Sequence, residues 1–128
     1  NMFVISDPDE AAWLGWFAQA ENYDGYLRWA YNSWTLDPLT DTRFRTWPAG
    51  DCFVVYPGGR GSVRFSKLTE GIQDFEKVRI LRAQWQKEGN EAKLAQLTEV
   101  LKPFTSDKIL EEGPAKALAA AKSFLDKQ

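Results

Sequence analysis

The run of large apolar residues between Gly25 and Trp34 constrains the fold of this chain more than any other segment. It follows a turn signal, Asp24-Gly25, and its bulky side chains favour a pleated, buried backbone: Tyr26, Leu27, Trp29 and Tyr31. The other face carries Arg28, Ala30 and Asn32. This alternation predicts a strand between a packed layer and a polar cavity, as in an enzyme barrel. A core strand whose arginine reaches a carboxylate fits the same spacing.

The composition narrows the chemistry that is available. With 128 residues the chain has the length of one domain, residues 1–128, and is too short for a complete eight-stranded barrel. Its net charge of −2 gives no reason to expect nucleic acid or an anionic membrane as a partner. It has no histidine, which excludes Ser-His-Asp and Cys-His catalysis and the commonest zinc and iron sites. We therefore expect no cofactor and no metal, and chemistry that uses carboxylates, tyrosines, lysines and aromatic surfaces.

The chain divides into two parts of different composition. Residues 1–87 hold all six tryptophans, five of them before residue 66, and are predicted to contain strands, helices and a loop. Residues 66–128 are rich in Ala, Leu, Lys and Glu, which favours helices, and residues 88–128 are predicted to form the C-terminal helices. Any ligand site is therefore expected in the first half of the chain.

Capping residues and apolar periodicity predict the remaining elements. Short buried strands are predicted at Met2–Ile5 and Cys52–Tyr56. Helices are predicted from Asp7 to about Asn22, from Ser62 past Trp85, from Asn90 to Pro103, and from Ser106 to Phe124 with a break at Gly113-Pro114. Gly71 interrupts the long second helix, so we expect close packing there.

The connection from Thr35 to Asp51 is unusually long. At about 17 residues without its own secondary structure, it is typical of a functional loop. Its tryptophans, together with those of the preceding segment, suit the C–H faces of sugar rings, although aromatic clusters more often belong to a core. An adjacent acidic pair, Asp9-Glu10, falls in the first turn of a helix, where negative charge complements the dipole. We interpret that pair as a capping feature.

Taken together, these residues resemble a known enzyme family. The matching positions are Gly25-Tyr-Leu-Arg-Trp-Ala-Tyr-Asn-Ser-Trp34, Asp37-Pro38, Asp41, Arg43, Trp47-Pro-Ala-Gly-Asp51, Tyr56-Pro57, Ser62, Arg64-Phe65, Leu68 and Glu70-Gly-Ile-Gln-Asp-Phe-Glu76. Over residues 1–82 the pattern resembles the C-terminal signature of glycoside hydrolase family 123, which bacterial proteins of undefined function also carry. Gly61 departs from the pattern, because a serine is expected beside Ser62.

The resemblance implies a (β/α)8 barrel that acts as a β-N-acetylgalactosaminidase by substrate-assisted catalysis. In this mechanism the acetamido oxygen of the substrate attacks the anomeric carbon. An aspartate orients the acetamido group and a neighbouring glutamate is the general acid, and in the family this pair lies upstream. Asp9-Glu10 does not match that setting. The chain is then expected to be the C-terminal portion of the barrel, an α/β unit with few strands followed by a helical tail.

The resemblance also implies roles for individual residues. Five are expected near the sugar: Tyr31, Asn32, Trp34, Trp47 and Asp51. Four are expected to be structural: Arg28, Asp41, Arg43 and Arg64. The expected partners are a carbohydrate substrate and either the remainder of the parent chain or a second copy, which would cover apolar strand edges.

Two other functions fit the same residues. One is a non-catalytic carbohydrate-binding module that uses the tryptophan cluster, and the other is a helical structural or interaction module. The isolated chain is expected to be inactive, because glycoside cleavage needs a protonated carboxylic acid in an enclosed setting. Only Asp51 lies near the expected sugar site, and one carboxylate is not a pair.

Overall fold

Helices form the regular structure of the protein. The computed structural model describes residues 2–43 and 47–128, and within these ranges five helices follow one another along the chain. They are α1 (Asp9–Ala20), α2 (Val63–Glu88), α3 (Glu91–Leu101), α4 (Ser106–Glu112) and α5 (Ala115–Leu125). No helix in the described part of the chain is both long and apolar enough to cross a membrane.

Side-chain caps determine where these helices begin. The Ser62 hydroxyl accepts a hydrogen bond from the backbone N–H of Phe65 at 3.0 Å, and the Asn90 side chain accepts one from Lys93 at 3.2 Å. Both caps confirm the predicted helix starts. The predicted break between α4 and α5 is also confirmed, because Gly113 ends α4 with a positive φ of 72°.

Two glycines allow α1 and α2 to pack closely. A Cβ atom added at Gly71 would lie 2.6 Å from the carbonyl oxygen of Ala12 and 2.9 Å from its Cα, so any side chain there would force the helices apart. Gly15 of α1 lies directly against the backbone of Gly71. The predicted close packing at Gly71 is therefore confirmed.

The buried apolar residues form two clusters. The larger cluster joins α1, α2, α3 and α5 around Trp16, Trp85 and Phe104. The smaller cluster contains Met2, Ala11, Val54 and Leu68, with Leu14 and Phe65 packed against it. Because Met2 and Val54 lie outside the helices, this second cluster attaches the non-helical part of the chain to α1 and α2.

The predicted α/β fold, with strands and a portion of a (β/α)8 barrel, is wrong. In the described ranges the backbone forms no strand, and the only β-type pairing consists of two isolated antiparallel bridges, Asn32–Phe53 and Tyr56–Arg60. Of the predicted strand residues, Cys52, Phe53 and Val54 are completely buried, as expected of a core segment, but they do not belong to a sheet.

The segment from Gly25 to Trp34 is oriented opposite to the prediction. Ala30 is buried and Arg28 turns inward, whereas Leu27 is 92% exposed and Trp29 is 55% exposed. Large β-forming side chains favour strands because they pack against neighbouring strands and become buried, and a stable sheet needs about three strands. Here the inner Arg28 contacts Asp51, and the described chain supplies no further strand for the outer residues.

Candidate functional site

The candidate site lies in the non-helical part of the chain, which we call the aromatic loop region (residues 23–43 and 47–61). Within it, one segment runs antiparallel to a buried segment. The Val54 N–H donates to the carbonyl of Tyr31 at 2.9 Å, and the Ser33 N–H donates to the carbonyl of Cys52 at 3.0 Å. Because residues 52–54 are buried against the helices, these bonds fix the position of residues 31–33 on the outside.

Six aromatic side chains of this region are half-exposed, and four of them lie in the segments that carry the candidate site. The exposed fractions are 55% for Trp29, 49% for Tyr31, 41% for Trp34 and 47% for Trp47. The rings of Trp29 and Trp47 lie 5.1 Å apart, centroid to centroid, at an interplanar angle of 37°. Each of these rings therefore keeps part of its surface in solvent while the rest is packed.

Contacts on the inner side hold two of these rings in place. The indole N–H of Trp34 donates to the carbonyl of Val55 at 2.8 Å. Tyr31 packs edge-on against Phe65 of α2, with ring centroids 5.9 Å apart. A ring that is fixed on one side and open on the other binds a flat ligand without first losing much conformational freedom.

Asp51 lies beneath the surface, paired with an arginine. Its residue exposure is 8%, and its Oδ1 atom lies 3.2 Å from Nη2 of Arg28. The same Nη2 atom also donates to the backbone carbonyl of Asp51. Among the described residues no hydrogen bond reaches the second carboxylate oxygen, Oδ2, and the buried Nε of Arg28 has no partner. The Arg28–Asp51 pair thus joins the two antiparallel segments through side chains.

Arg64 connects the aromatic loop region to α2. Its Nη1 atom donates to the carbonyls of Met2 at 3.0 Å, Gly50 at 2.5 Å and Phe53 at 3.0 Å. The hydroxyl of Ser62 also donates to the carbonyl of Val54 at 2.6 Å. The start of α2 therefore holds the backbone beside Asp51.

The remaining structural candidates shape the loop itself. Oδ1 of Asp41 accepts a hydrogen bond from the backbone N–H of Arg43 at 2.9 Å, and the carbonyl of Asp41 accepts one from the Thr35 hydroxyl at 2.6 Å. The Gly50 N–H donates to the carbonyl of Thr42 at 2.9 Å, which joins the end of the loop to its middle. Residues 44–46 of the predicted loop lie outside the described residues.

Four of the residues expected near the sugar lie along one pair of neighbouring segments. Tyr31 and Asn32 lie along the buried segment that follows Asp51, and Trp34 reaches it through Val55. Trp47 makes its ring contact with Trp29. Trp29 is not among the five residues expected near the sugar, although its ring is one of those that suit the C–H face of a sugar. The inward turn of Arg28 and Ala30, its sequence neighbours, places it on the open surface.

The charged groups in and near the site are few and mostly paired. Burial raises the pKa of Tyr26, and the nearby Arg28 opposes this only in part, so the phenol is neutral at pH 7. Asp9 of the acidic pair lies 2.8 Å from Nζ of Lys67, on the helical side of the molecule. Within residues 2–43 and 47–128, no group of three His, Cys, Asp or Glu residues is placed to hold a metal ion. Flat aromatic faces, the Asn32 amide and one paired carboxylate suit the binding of a polar ring.

Comparison with known proteins identifies the family. No curated protein matched the chain. A family model described as "Glycoside hydrolase 123, catalytic domain" matches residues 1–81. These residues include α1, the aromatic loop region and most of α2, and they make up more than half of the chain. The chain therefore belongs to glycoside hydrolase family 123.

Proposed function

We propose that this chain supplies sugar-binding residues to a glycoside hydrolase that acts on N-acetylhexosaminides, in particular β-linked N-acetylgalactosamine. Membership of the family makes the substrate a carbohydrate. The observation that carries the proposal is the set of half-exposed rings, Tyr31, Trp34 and Trp47. Contacts on their inner sides hold Tyr31 and Trp34, and Trp47 packs against Trp29. The apolar face of a pyranose ring stacks on such surfaces, while its hydroxyls remain free to form hydrogen bonds.

In this proposal the polar residues bind hydroxyl groups. The exposed amide of Asn32 both donates and accepts hydrogen bonds. Asp51 contributes its Oδ2 atom, because Arg28 occupies Oδ1. Arg28, Asp41, Arg43 and Arg64 hold the backbone of the aromatic loop region and do not contact the sugar.

The chemical step requires groups that these residues do not supply. Substrate-assisted cleavage needs a carboxylate that orients the acetamido group and a protonated carboxylic acid at the leaving oxygen. Asp51 is paired with Arg28, at 3.2 Å from Oδ1 to Nη2. Asp9 is paired with Lys67, and Glu10 lies in the first turn of α1. We expect the catalytic pair to come from another part of the catalytic domain.

The remainder of the catalytic domain is also the proposed partner of the outer surface. Leu27 and Leu36 have almost completely exposed side chains, and Leu39 is exposed beside them in sequence. Apolar surface of this extent is typical of a protein interface. Self-association of the chain through this surface is the alternative, and sedimentation velocity at increasing concentration distinguishes the two.

The experiment that tests the proposed function is a titration of the chain with N-acetylgalactosamine and its β-linked disaccharides by calorimetry. Wild type is expected to bind with a millimolar dissociation constant. Trp34→Ala is expected to weaken binding at least fivefold, equivalent to about 1 kcal/mol. Tyr23→Ala is a suitable control, because Tyr23 is exposed to a similar degree but packs against Phe17 of α1.

Two further outcomes separate the alternatives. Hydrolysis of an aryl N-acetylgalactosaminide by the chain alone, abolished by Glu10→Gln, would contradict the assignment of catalysis to another part of the domain. Equal sugar binding by wild type and Trp34→Ala would contradict the aromatic site. In a complete enzyme, Asp51→Asn is expected to lower kcat/KM by more than about twofold. A smaller change would remove Asp51 from the sugar site.

A further inference from the structure

Arg64 occupies an unfavourable position for an arginine. It is 7% exposed, and moving its charge out of water is costly unless hydrogen bonds compensate. It also lies in the first turn of α2, which contains no acidic residue and where the helix dipole disfavours a positive charge. Its Nη2 atom is buried and has no partner among the described residues. Burial, the position at the helix start and the Nη2 atom that has no described partner are each unfavourable for an arginine. Their combination indicates that Arg64 has a role other than stabilising the helix.

The hydrogen bonds of Arg64 indicate that role. One atom, Nη1, donates to carbonyls of three separate segments: the start of the chain at Met2, the loop end at Gly50 and the buried segment at Phe53. Hydrogen bonds from a charged donor are stronger than those between neutral groups. Removal of the guanidinium would leave these three carbonyls without their charged partner. One of them belongs to Gly50, which directly precedes Asp51 in the chain.

The conformation of Gly50 fits closely around this guanidinium. Gly50 has a φ of +84°, which disfavours any other residue. A Cβ atom at this position would also lie 2.8 Å from Cγ2 of Val4 and 2.9 Å from Cζ of Arg64, and it would collide with Nη1. The turn that precedes Asp51 therefore depends on a glycine at 50 and an arginine at 64 together.

We propose that Arg64 is a positioning residue that orients Trp47 and Asp51 for sugar binding by fixing the Gly50–Asp51 turn against α2. The effect on sugar affinity rests on the proposed function. The positioning itself is a property of the chain without ligand, and so it can be tested separately.

The first test uses the six indole N–H signals in ¹⁵N-resolved NMR spectra without sugar. In Arg64→Met, which keeps the length of the side chain but has no donors, the signals of Trp47 and its ring neighbour Trp29 are expected to shift or broaden. The signal of Trp34 is expected to change with them, because its indole N–H binds the carbonyl of Val55, two residues after the Phe53 carbonyl that Arg64 holds. The signals of the buried Trp13, Trp16 and Trp85 are expected to stay in place. If no indole signal changes, the loop does not depend on Arg64, and if all six change, Arg64 is a general stability residue. Either result would overturn the proposal.

Two variants make this test independent of the single substitution. Gly50→Ala leaves Arg64 intact but displaces the turn, so it is expected to reproduce the changes seen in Arg64→Met. Gly59→Ala is its matched control, because Gly59 also has a positive φ, +72°, but nothing lies within 4 Å of an added Cβ. If both glycine variants gave similar spectra, the cause would be the loss of the positive φ alone. The contact between Gly50 and Arg64 would then not be needed to hold the turn.

The second test measures the dissociation constant for N-acetylgalactosamine. Arg64→Met and Gly50→Ala are expected to raise it at least fivefold, and Gly59→Ala by less than twofold. Arg64→Lys is expected to lie between Arg64→Met and wild type, because one lysine nitrogen offers three donors on a slightly shorter side chain. An Arg64→Lys variant as weak as Arg64→Met would contradict the role of the shared nitrogen. A wild-type chain that binds no sugar would contradict the proposed function, and the sugar-free spectra would still decide whether Arg64 positions the turn.

Discussion

The helical core and the aromatic loop region use the same residue type in opposite ways. Trp13, Trp16 and Trp85 are buried among the helices, where they pack against other apolar side chains. Trp29, Trp34 and Trp47 belong to the aromatic loop region and keep part of their rings in solvent. The helices satisfy most of their own backbone hydrogen bonds, whereas carbonyls of the loop region also accept hydrogen bonds from the side chains of Arg28, Ser62 and Arg64. Stability and proposed binding are therefore assigned to different regions of the molecule.

The largest expected effect comes from removal of a core tryptophan. Trp85→Ala is expected to lower the free energy of unfolding by about 3–5 kcal/mol, because it leaves a cavity between α2, α3 and α5. Trp47→Ala makes the same change in the aromatic loop region, and is expected to cost less than about 1 kcal/mol because the ring is half-exposed. Urea unfolding followed by circular dichroism at 222 nm measures both. Equal losses would remove the distinction between the two regions.

A smaller effect is expected from a methyl group at the crossing of α1 and α2. Alanine at an exposed helical position is favoured over glycine by about 1 kcal/mol. At Gly71 the contacts with Ala12 are expected to reverse the sign, with a net loss of about 1–3 kcal/mol. Gly61→Ala is the control, because its nearest neighbour would be Cδ1 of Phe65 at 4.0 Å. A stabilised Gly71→Ala variant would show that the helices can move apart freely.

The helices could be predicted from the sequence because their signals are local. Ser62 and Asn90 accept hydrogen bonds from N–H groups three residues away, and such caps depend on no distant part of the chain. The orientation of the segment around Trp29 could not be predicted in this way. Alternation separates Trp29 from Arg28 and Ala30, but the pattern does not say which of the two faces the folded chain covers.

In the candidate site too, long-range contacts could not be predicted from the sequence, whereas a local turn could. Arg28 was expected to be structural, and its pairing with Asp51 spans 23 positions in the sequence. The three carbonyls that Arg64 binds lie up to 62 positions away. Hydrogen bonds to backbone carbonyls place no requirement on the residue type of the acceptor, so the sequence contains no signal for them. Gly50 is the exception, because a Pro-Ala-Gly-Asp run already indicates a turn.

The smallest expected effect concerns a cluster of charges that joins α5 to α2. Glu70 accepts hydrogen bonds from Lys122 and Lys67, and Lys122 also lies 3.0 Å from Oδ2 of Asp74. The hydrogen bond from Lys122 has the largest effect on the pKa of Glu70 and lowers it below its usual value. Partial burial opposes this change, and the hydrogen bond from Lys67 adds a smaller decrease. Burial alone would lower the pKa of Lys122, but its bonds to Glu70 and Asp74 outweigh this and raise it.

The sign of the pH dependence follows from these directions. Because the pKa of Glu70 is lower in the folded state, its contribution is complete above its usual pKa and disappears as the pH falls through the folded value. Glu70→Gln is expected to cost about 0.5–1 kcal/mol at pH 7, since the group is partly exposed, and almost nothing in strong acid. Glu76→Gln, whose partner Arg79 is well exposed, is the control with an expected loss of a few tenths of a kcal/mol. A loss for Glu70→Gln that stays the same down to pH 2 would contradict the ion pairs.

The central claim is that the aromatic loop region binds sugar while the helical core supports it. The most direct measurement follows the six indole N–H signals of the wild-type chain during titration with N-acetylgalactosamine. The signals of Trp29, Trp34 and Trp47 are expected to shift together along one saturating curve, and those of Trp13, Trp16 and Trp85 to stay fixed. Shifts confined to the three core tryptophans would contradict the claim. So would the absence of a saturable shift up to about 50 mM sugar, a dissociation constant that corresponds to about 2 kcal/mol of binding free energy.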